Sequence, residues 1–159
     1  MQHAIFITPT LSKTRMKTEE TDDIAKALIR QSNGRVTPAR VNLLSILLSA
    51  PTALNHQAIE QVAKERGLSF DRVTLYRALD WLVEQGIAHR IASVNRSWFF
   101  NATSDHSSTP HAHFHCKQCE QIYCLEEIHS TPLNNLPRHY QLDEAELSLQ
   151  GQCMNCNTK

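Results

Sequence analysis

Four stretches in the first half of the chain carry apolar residues every three or four positions, which is the period of an amphipathic helix. The fourth is the most regular: Leu75, Leu79, Leu82 and Val83 form one stripe, and Gly86 follows as a stop. Each stretch begins at a residue type that caps helices and ends at one that breaks them. The predicted helices occupy 18–33, 37–50, 55–67 and 71–86, with residue 69 as an alternative cap for the last.

Two short strand-like runs, residues 87–92 and 97–100, follow the fourth helix around a turn at 94–96. Helices closed by such a hairpin form a winged helix-turn-helix, whose last helix enters the DNA major groove by its N-terminal half. Four polar side chains in that half lie largely off the apolar stripe: Arg72, Thr74, Tyr76 and Arg77. Tyrosine packs on thymine methyls and arginine binds guanine or phosphate, so these are candidate DNA contacts. The alternative is an ordinary solvated helix face, which the pattern leaves equally open.

The rest of the chain predicts a second, smaller unit. Residues 101–110 are polar and rich in Ser and Thr, which indicates a hinge. Beyond it, 111–116, 121–125 and 145–150 have strand patterns, and 132–138 has a weak helical one. We therefore predict an α+β protein with a flexible extension at 1–17, a winged-helix domain at 18–100, and a small α/β domain at 111–159. About 50 residues build little core, so a metal and dimerisation are the usual supplements.

Composition narrows the class of protein. Hydrophobic residues make up 41% of the 159, which excludes a wholly disordered chain. No apolar run approaches the length of a membrane span or of a signal-peptide core, so we expect a cytoplasmic protein without a membrane partner. The net charge of zero combines a basic front, with 13 Lys and Arg against 9 Asp and Glu in residues 1–100, and an acidic back, with 3 against 7. This asymmetry suggests two units with different partners.

Four of the five cysteines form two Cys-x-x-Cys pairs, Cys116 with Cys119 and Cys153 with Cys156. Two such pairs supply the tetrahedral thiolate cage that Zn²⁺ prefers in structural sites. Two disulfides and an iron–sulfur cluster are the alternatives. A reducing compartment disfavours the disulfides, and four thiolates in two short hairpins suit zinc.

Several motifs, in their order along the chain, resemble the ferric uptake regulator family of bacterial metal-sensing repressors. They are Thr37-Pro38-Ala39-Arg40, Val73-Thr74-Leu75-Tyr76-Arg77-Ala78-Leu79, His-x-His-x-x-Cys-x-x-Cys from His111, and the final Cys-x-x-Cys. The resemblance implies a DNA-binding winged helix, a hinge, a dimerisation domain and metal-dependent binding to palindromic operators. It puts Tyr76 and Arg77 at DNA-contacting positions and the paired cysteines at structural zinc positions. Arg40, from the first motif, joins the candidate DNA contacts.

The same resemblance implies a second site that senses the regulatory metal. His111 and His113 match the family's sensor histidines, and His89 resembles a ligand of its zinc-sensing members. Cys124 stands where the family often has an acidic ligand, whereas the ligand expected near Phe100 is missing. Three imidazoles and a thiolate suit Zn²⁺ better than harder ions. The alternatives are that Cys124 is a buried packing residue and that His89 meets a phosphate.

Together these features predict a homodimeric repressor that binds operators of metal-uptake genes, with zinc as corepressor. An iron- or peroxide-responsive regulator of the same family is the alternative. From other classes, a zinc buffer or a zinc enzyme would also need the cysteines. We do not expect an enzyme, because no His-Glu-x-x-His occurs and a four-thiolate site leaves no open position for water.

Overall fold

The computed structural model describes residues 18–93, 95–103, 111–129, 137–142 and 145–157. Its helices and strands are α1 (Thr18–Gln31), α2 (Pro38–Ser49), β1 (Leu54–Asn55), α3 (His56–Glu65), α4 (Arg72–Glu84), β2 (Ala88–Ala92), β3 (Trp98–Ala102), β4 (His111–Cys116), β5 (Ile122–His129) and β6 (Leu147–Gly151). The predicted extension at 1–17, most of the predicted hinge and most of the helix predicted at 132–138 lie outside the described residues. The α+β class, with a winged helix-turn-helix followed by a second sheet, is confirmed.

The four predicted helices are confirmed, and capping side chains mark where three of them begin. At the start of α2 the Thr37 hydroxyl accepts a hydrogen bond from the Arg40 N–H at 3.4 Å. The Asn55 side chain accepts a hydrogen bond from the Ala58 N–H at 2.8 Å at the start of α3. Asp71, not Ser69, caps α4 and accepts from the Thr74 N–H at 2.9 Å. The cap satisfies a backbone N–H in the first turn of α4, the helix expected to meet DNA.

The helices enclose one core. Leu75, Leu79 and Leu82 are fully buried on α4, as their spacing predicts, and Val83 packs against them partly buried. The central helix α2 buries residues on every side, because α1, α3, α4 and β3 all contact it. In the described part of the chain, no helix combines the length and the apolar character that crossing a membrane requires.

Two three-stranded sheets follow the helices, with strand orders β1-β3-β2 and β5-β4-β6. β3 runs to Ala102, two residues past the predicted end, because Asn101 and Ala102 still pair with His89 and Ala88 of β2. β5 is also longer than the predicted 121–125. It is an edge strand, and one solvated side tolerates polar residues such as Glu126 that hide the strand pattern.

A second, smaller core joins the two sheets. Ala53, Ile91 and Ile122 are buried together, with Phe99 and Cys124 packed against them; we call these five residues the seam. The Ala53 N–H donates to the Ile122 carbonyl at 2.9 Å, which adds a backbone hydrogen bond. The seam holds the wing against β5, an arrangement that the sequence did not predict.

Candidate metal sites and nucleic-acid interface

Four predicted ligands from both sheets meet at one point beside the seam. Nitrogen atoms of His89, His111 and His113 and the sulfur of Cys124 all lie within 4.8 Å of one another. His113 and Cys124 are direct partners across β4 and β5, so their side chains leave the same face of the sheet. His89 approaches from β2. The structure thus brings together all four side chains that the resemblance implied; we call them the sensor cluster.

The distances in the sensor cluster fit a tetrahedral ion. The His89 Nε2 and the Cys124 Sγ lie 3.4 Å apart. Zn–N bonds of about 2.0–2.1 Å and a Zn–S bond of about 2.3 Å at tetrahedral angles put such a pair about 3.5 Å apart. The centroids of the three imidazole rings are 4.9, 5.3 and 4.8 Å apart, so each nitrogen can face a common centre. The residues present therefore suit zinc.

His113 is already in the protonation state that a metal requires. Its side chain is only 8% exposed, and its Nε2 has no hydrogen-bond partner among the described residues. Burial, with the nearby His111 and His115 adding to it, lowers the pKa of His113 to about 4. The ring is neutral at physiological pH, so a cation meets a free lone pair rather than a proton.

Asn101 is a part of this site that was not among the predicted ligands. Its side chain is 4% exposed, and its Nδ2 donates to the Cys124 Sγ at 2.9 Å. It also lies directly opposite His89 across β2 and β3. One signal in the sequence could have indicated this residue. Asn101 is an uncharged polar residue in an otherwise apolar strand, next to Phe100, where the family's missing ligand was expected.

The paired cysteines form a second cluster, the four-cysteine cluster, between the end of β4 and the segment after β6. All four sulfurs lie within 4.8 Å of one another, and those of Cys119 and Cys153 are 3.7 Å apart. Two thiolates on a tetrahedral zinc are about 3.8 Å apart, whereas a disulfide requires about 2.05 Å. None of these four cysteines is in a disulfide, so the geometry fits a closed zinc site and not the two disulfides.

The backbone prepares this cluster for a cation. Hydrogen bonds from the backbone N–H groups of Cys119 and Cys153 lower the pKa of Cys116 to about 6. The hydrogen bond with Cys153, with burial adding, raises the pKa of Cys156 to about 12. Some sulfurs are thus held as thiolates, whereas others resist ionisation because a negative charge already lies beside them. A divalent cation at the centre of the cluster would offset this repulsion between thiolates.

Three of the five candidate DNA contacts project from α4 into solvent. Arg72 and Arg77 are exposed, and Tyr76 is 46% exposed. Val73, on the same half of the helix and 57% exposed, was not predicted. It offers apolar surface of the kind that packs against thymine methyl groups.

The other two candidates are engaged within the protein. The Thr74 hydroxyl donates to the Asp71 carboxylate as part of the cap. The Arg40 guanidinium lies 3.7 Å from the centroid of the Trp81 ring and donates to the Arg35 carbonyl at 2.9 Å. In this arrangement both side chains contact other residues of the protein, so they are not available in the way that the exposed side chains of α4 are.

His56 supports Tyr76 from below. Its ring centroid is 4.4 Å from that of Tyr76 and 5.0 Å from that of Phe100 in β3. Burial lowers the pKa of His56, which favours an uncharged ring between the two aromatic residues. Phe100 precedes Asn101 in β3, so the backbone of this strand connects the packing beneath Tyr76 with the residue beside the sensor cluster.

Comparison with known proteins gives one family. The model of the ferric uptake regulator family matches residues 31–150. The zinc uptake regulation protein of Escherichia coli (strain K12) is 30% identical over 106 residues, covering 65% of this chain and 61% of that protein. The match therefore spans less than two thirds of that relative. The peroxide-responsive repressor of Staphylococcus aureus (strain USA300) is 24% identical over 136 residues, covering 84% of this chain and 89% of that protein.

Solved structures share the fold. A zinc uptake regulator complexed with zinc and DNA has a TM-score of 0.68 at 21% identity and covers 89% of this chain and 95% of its own. The Vibrio cholerae ferric uptake regulator has a TM-score of 0.57 at 18% identity and covers 80% and 98%.

Proposed function

Because the chain belongs to the ferric uptake regulator family, we propose that it is a transcriptional repressor that binds palindromic operators of metal-uptake genes as a homodimer, with zinc as corepressor. Members of this family regulate transcription and are not enzymes. The proposal includes action in the cytoplasm, where the operators are. It also keeps the division into a DNA-binding unit, a hinge and a dimerisation unit, with the first unit extended to Ala102, where β3 ends.

The observation that carries the proposal is that the sensor cluster is shared between two sheets. His89 belongs to β2 of the wing, whereas His111, His113 and Cys124 belong to the second sheet. When these side chains share one ion, they tie the wing to the second sheet. An ion that binds this closed arrangement better than an open one shifts the population toward it, and DNA that fits the closed dimer does the same.

The donor set supports zinc over the alternative within the family. An iron- or peroxide-responsive regulator has support from the peroxide-responsive relative. Three imidazoles and a thiolate, however, match the ligands of Zn²⁺, whereas harder ions prefer carboxylates, carbonyls and water. The four-cysteine cluster is proposed as a separate structural zinc site, since four thiolates leave no open position.

Replacement of Cys124 tests which metal the sensor cluster prefers. Cys124→Asp exchanges a soft sulfur for a hard oxygen at the same place. We expect the ratio of zinc to manganese affinity to fall by on the order of tenfold, or about 1.4 kcal/mol. Competitive metal titrations of the purified dimer measure this ratio. Cys124→Ala separates loss of the thiolate from gain of a carboxylate, and a wild-type zinc response in both variants would make Cys124 a packing residue only.

Replacement of Arg77 tests the DNA surface. Arg77→Ala should weaken operator binding by about 1–3 kcal/mol if the guanidinium contacts a base edge or a desolvated phosphate. Fluorescence anisotropy with labelled operator at fixed salt measures the loss. Arg30→Ala removes the same charge from an exposed position on α1 and should leave the affinity nearly unchanged. Equal effects of the two substitutions would mean that only net charge matters.

One experiment separates the classes of function. In a mobility-shift assay with genomic operator fragments, the wild-type protein should retard DNA with zinc added and release it when the zinc is chelated. A zinc buffer or an enzyme would retard no fragment under either condition. Retardation that needs ferrous iron and ignores zinc would favour the iron- or peroxide-responsive alternative.

A further inference from the structure

The strongest unexplained feature near the sensor cluster is the side chain of Asn101. It is one of the few buried polar side chains of the described chain. Its Nδ2 donates to the Cys124 Sγ at 2.9 Å, a short distance for a nitrogen–sulfur hydrogen bond. Its Oδ1 is buried and has no hydrogen-bond partner among the described residues. A buried acceptor without a partner costs free energy, so this placement calls for a compensating role.

Two strand pairings aim the amide at the sulfur. Asn101 faces His89 across β2 and β3, and His113 faces Cys124 across β4 and β5. The seam holds these two pairs next to each other. Ile91, two residues after His89, and Ile122, two residues before Cys124, are both buried in it. The contact between Asn101 and Cys124 is therefore built by the packing of two sheets and not by a mobile side chain on the surface.

The chemistry of the contact depends on which end of the amide faces the sulfur. An amide N–H pointing at a sulfur stabilises the thiolate, whereas an amide oxygen in that place would repel it. The amide group also restricts where the sulfur can lie, because the hydrogen bond is directional. Groups that orient a metal ligand in this way typically contribute tenfold to a hundredfold in metal affinity.

We propose that Asn101 is a positioning and specificity-determining residue of the sensor cluster, donating its side-chain N–H to the Cys124 thiolate and thereby favouring thiophilic divalent ions such as zinc. This inference rests on the proposed function, because it takes the sensor cluster as a metal site. In this arrangement Asn101 acts through the sulfur as a hydrogen-bond donor, and the amide nitrogen that faces the site has no free lone pair to offer a metal. It links the metal preference of the second sheet to a residue of the wing, where the sequence has no acidic or cysteine ligand.

Cobalt(II) is the probe for the test, because a cobalt–thiolate bond has its own charge-transfer absorption. The dimer is first loaded with zinc at the four-cysteine cluster and then titrated with Co²⁺. The wild-type protein should show one further thiolate band that Cys124→Ala abolishes. Absence of that band in the wild-type protein would overturn the metal site, and with it the proposed function, whatever Asn101 does.

With the band established, Asn101→Leu removes the donor and keeps a branched side chain of similar shape. We expect the band to move to lower energy, because the sulfur becomes more electron-rich, and zinc affinity to fall tenfold to a hundredfold. Asn95→Leu makes the same change at an exposed position of the wing and should change neither. In a Cys124→Ala background, Asn101→Leu should have no further effect on affinity. The proposal would be overturned if Asn101→Leu kept the wild-type band position and zinc affinity. It would also be overturned if Asn101→Leu lowered the zinc affinity equally in the Cys124→Ala background.

A measurement on the unmodified chain covers the case in which the leucine variant does not fold. NMR of the protein carrying NMR-active cadmium at the sensor cluster should show scalar coupling between the metal and one Asn101 side-chain amide proton, passed through the hydrogen bond to sulfur. An Asn101 amide without this coupling would overturn the proposal independently of any variant.

Discussion

Cys116→Ser should leave the second sheet unfolded and the protein monomeric. Cys116 is a buried member of the four-cysteine cluster, and its sulfur accepts a hydrogen bond from the Cys153 N–H at 3.3 Å. A serine side chain has nearly the shape of a cysteine side chain, but its hydroxyl does not ionise near neutral pH. The cluster therefore loses one of its four anionic ligands. Zinc-finger peptides gain about 10–16 kcal/mol of apparent free energy from a comparable site, which exceeds the stability of a small sheet.

Zinc content and sedimentation velocity measure the outcome. The variant should lose its most tightly bound zinc and sediment as a monomer, and hydrogen exchange should become fast in β4, β5 and β6. Cys124→Ser is the matched control, because it removes a thiol from the sensor cluster and leaves the four-cysteine cluster intact. A stable, zinc-free dimer of Cys116→Ser would show that the cluster is not structural.

His113→Ala should remove the metal dependence of DNA binding and leave the fold intact. His113 is the most buried member of the sensor cluster, and its neutral ring costs no deprotonation before a metal binds. A coupling of about 1–3 kcal/mol between metal and DNA, a factor of 5–150 in affinity, is typical of such switches, and it should disappear. Operator binding by anisotropy, measured across a zinc titration, should become flat at the weak, metal-free level.

His115→Ala is the control for this prediction. His115 lies two residues further along β4 and is partly buried, but it is not a member of the sensor cluster. It should keep the zinc response, and both variants should keep the zinc of the four-cysteine cluster. A full zinc response in His113→Ala would place the sensor elsewhere in the molecule.

The features that the sequence predicted well are those encoded within a few residues. Helix starts depend on one capping side chain and the next turn, and Asn55 and Asp71 behave accordingly. The two Cys-x-x-Cys hairpins are equally local, since each pair turns back on itself wherever the strands lead. The pairing of the two hairpins followed from the chemistry of zinc rather than from any fold.

The features that local patterns could not predict depend on pairing between distant segments. His89 and Cys124 are 35 residues apart, and no periodicity connects them; only the family resemblance brought them together. Nothing local indicates that β3 continues to Ala102 or that Asn101 reaches Cys124. The roles of Arg72, Tyr76 and Arg77 at DNA remain predictions, while Arg40 and Thr74 have contacts inside the protein.

The seam gives the protein a way to set its response threshold without changing a ligand. The apparent affinity of the sensor cluster is its intrinsic affinity multiplied by the fraction of molecules in which both sheets are already docked. Ile91 and Ile122 contribute to that fraction through apolar burial alone, without contacting the metal. If the proposed function holds, a smaller side chain at either position should raise the metal concentration needed for DNA binding.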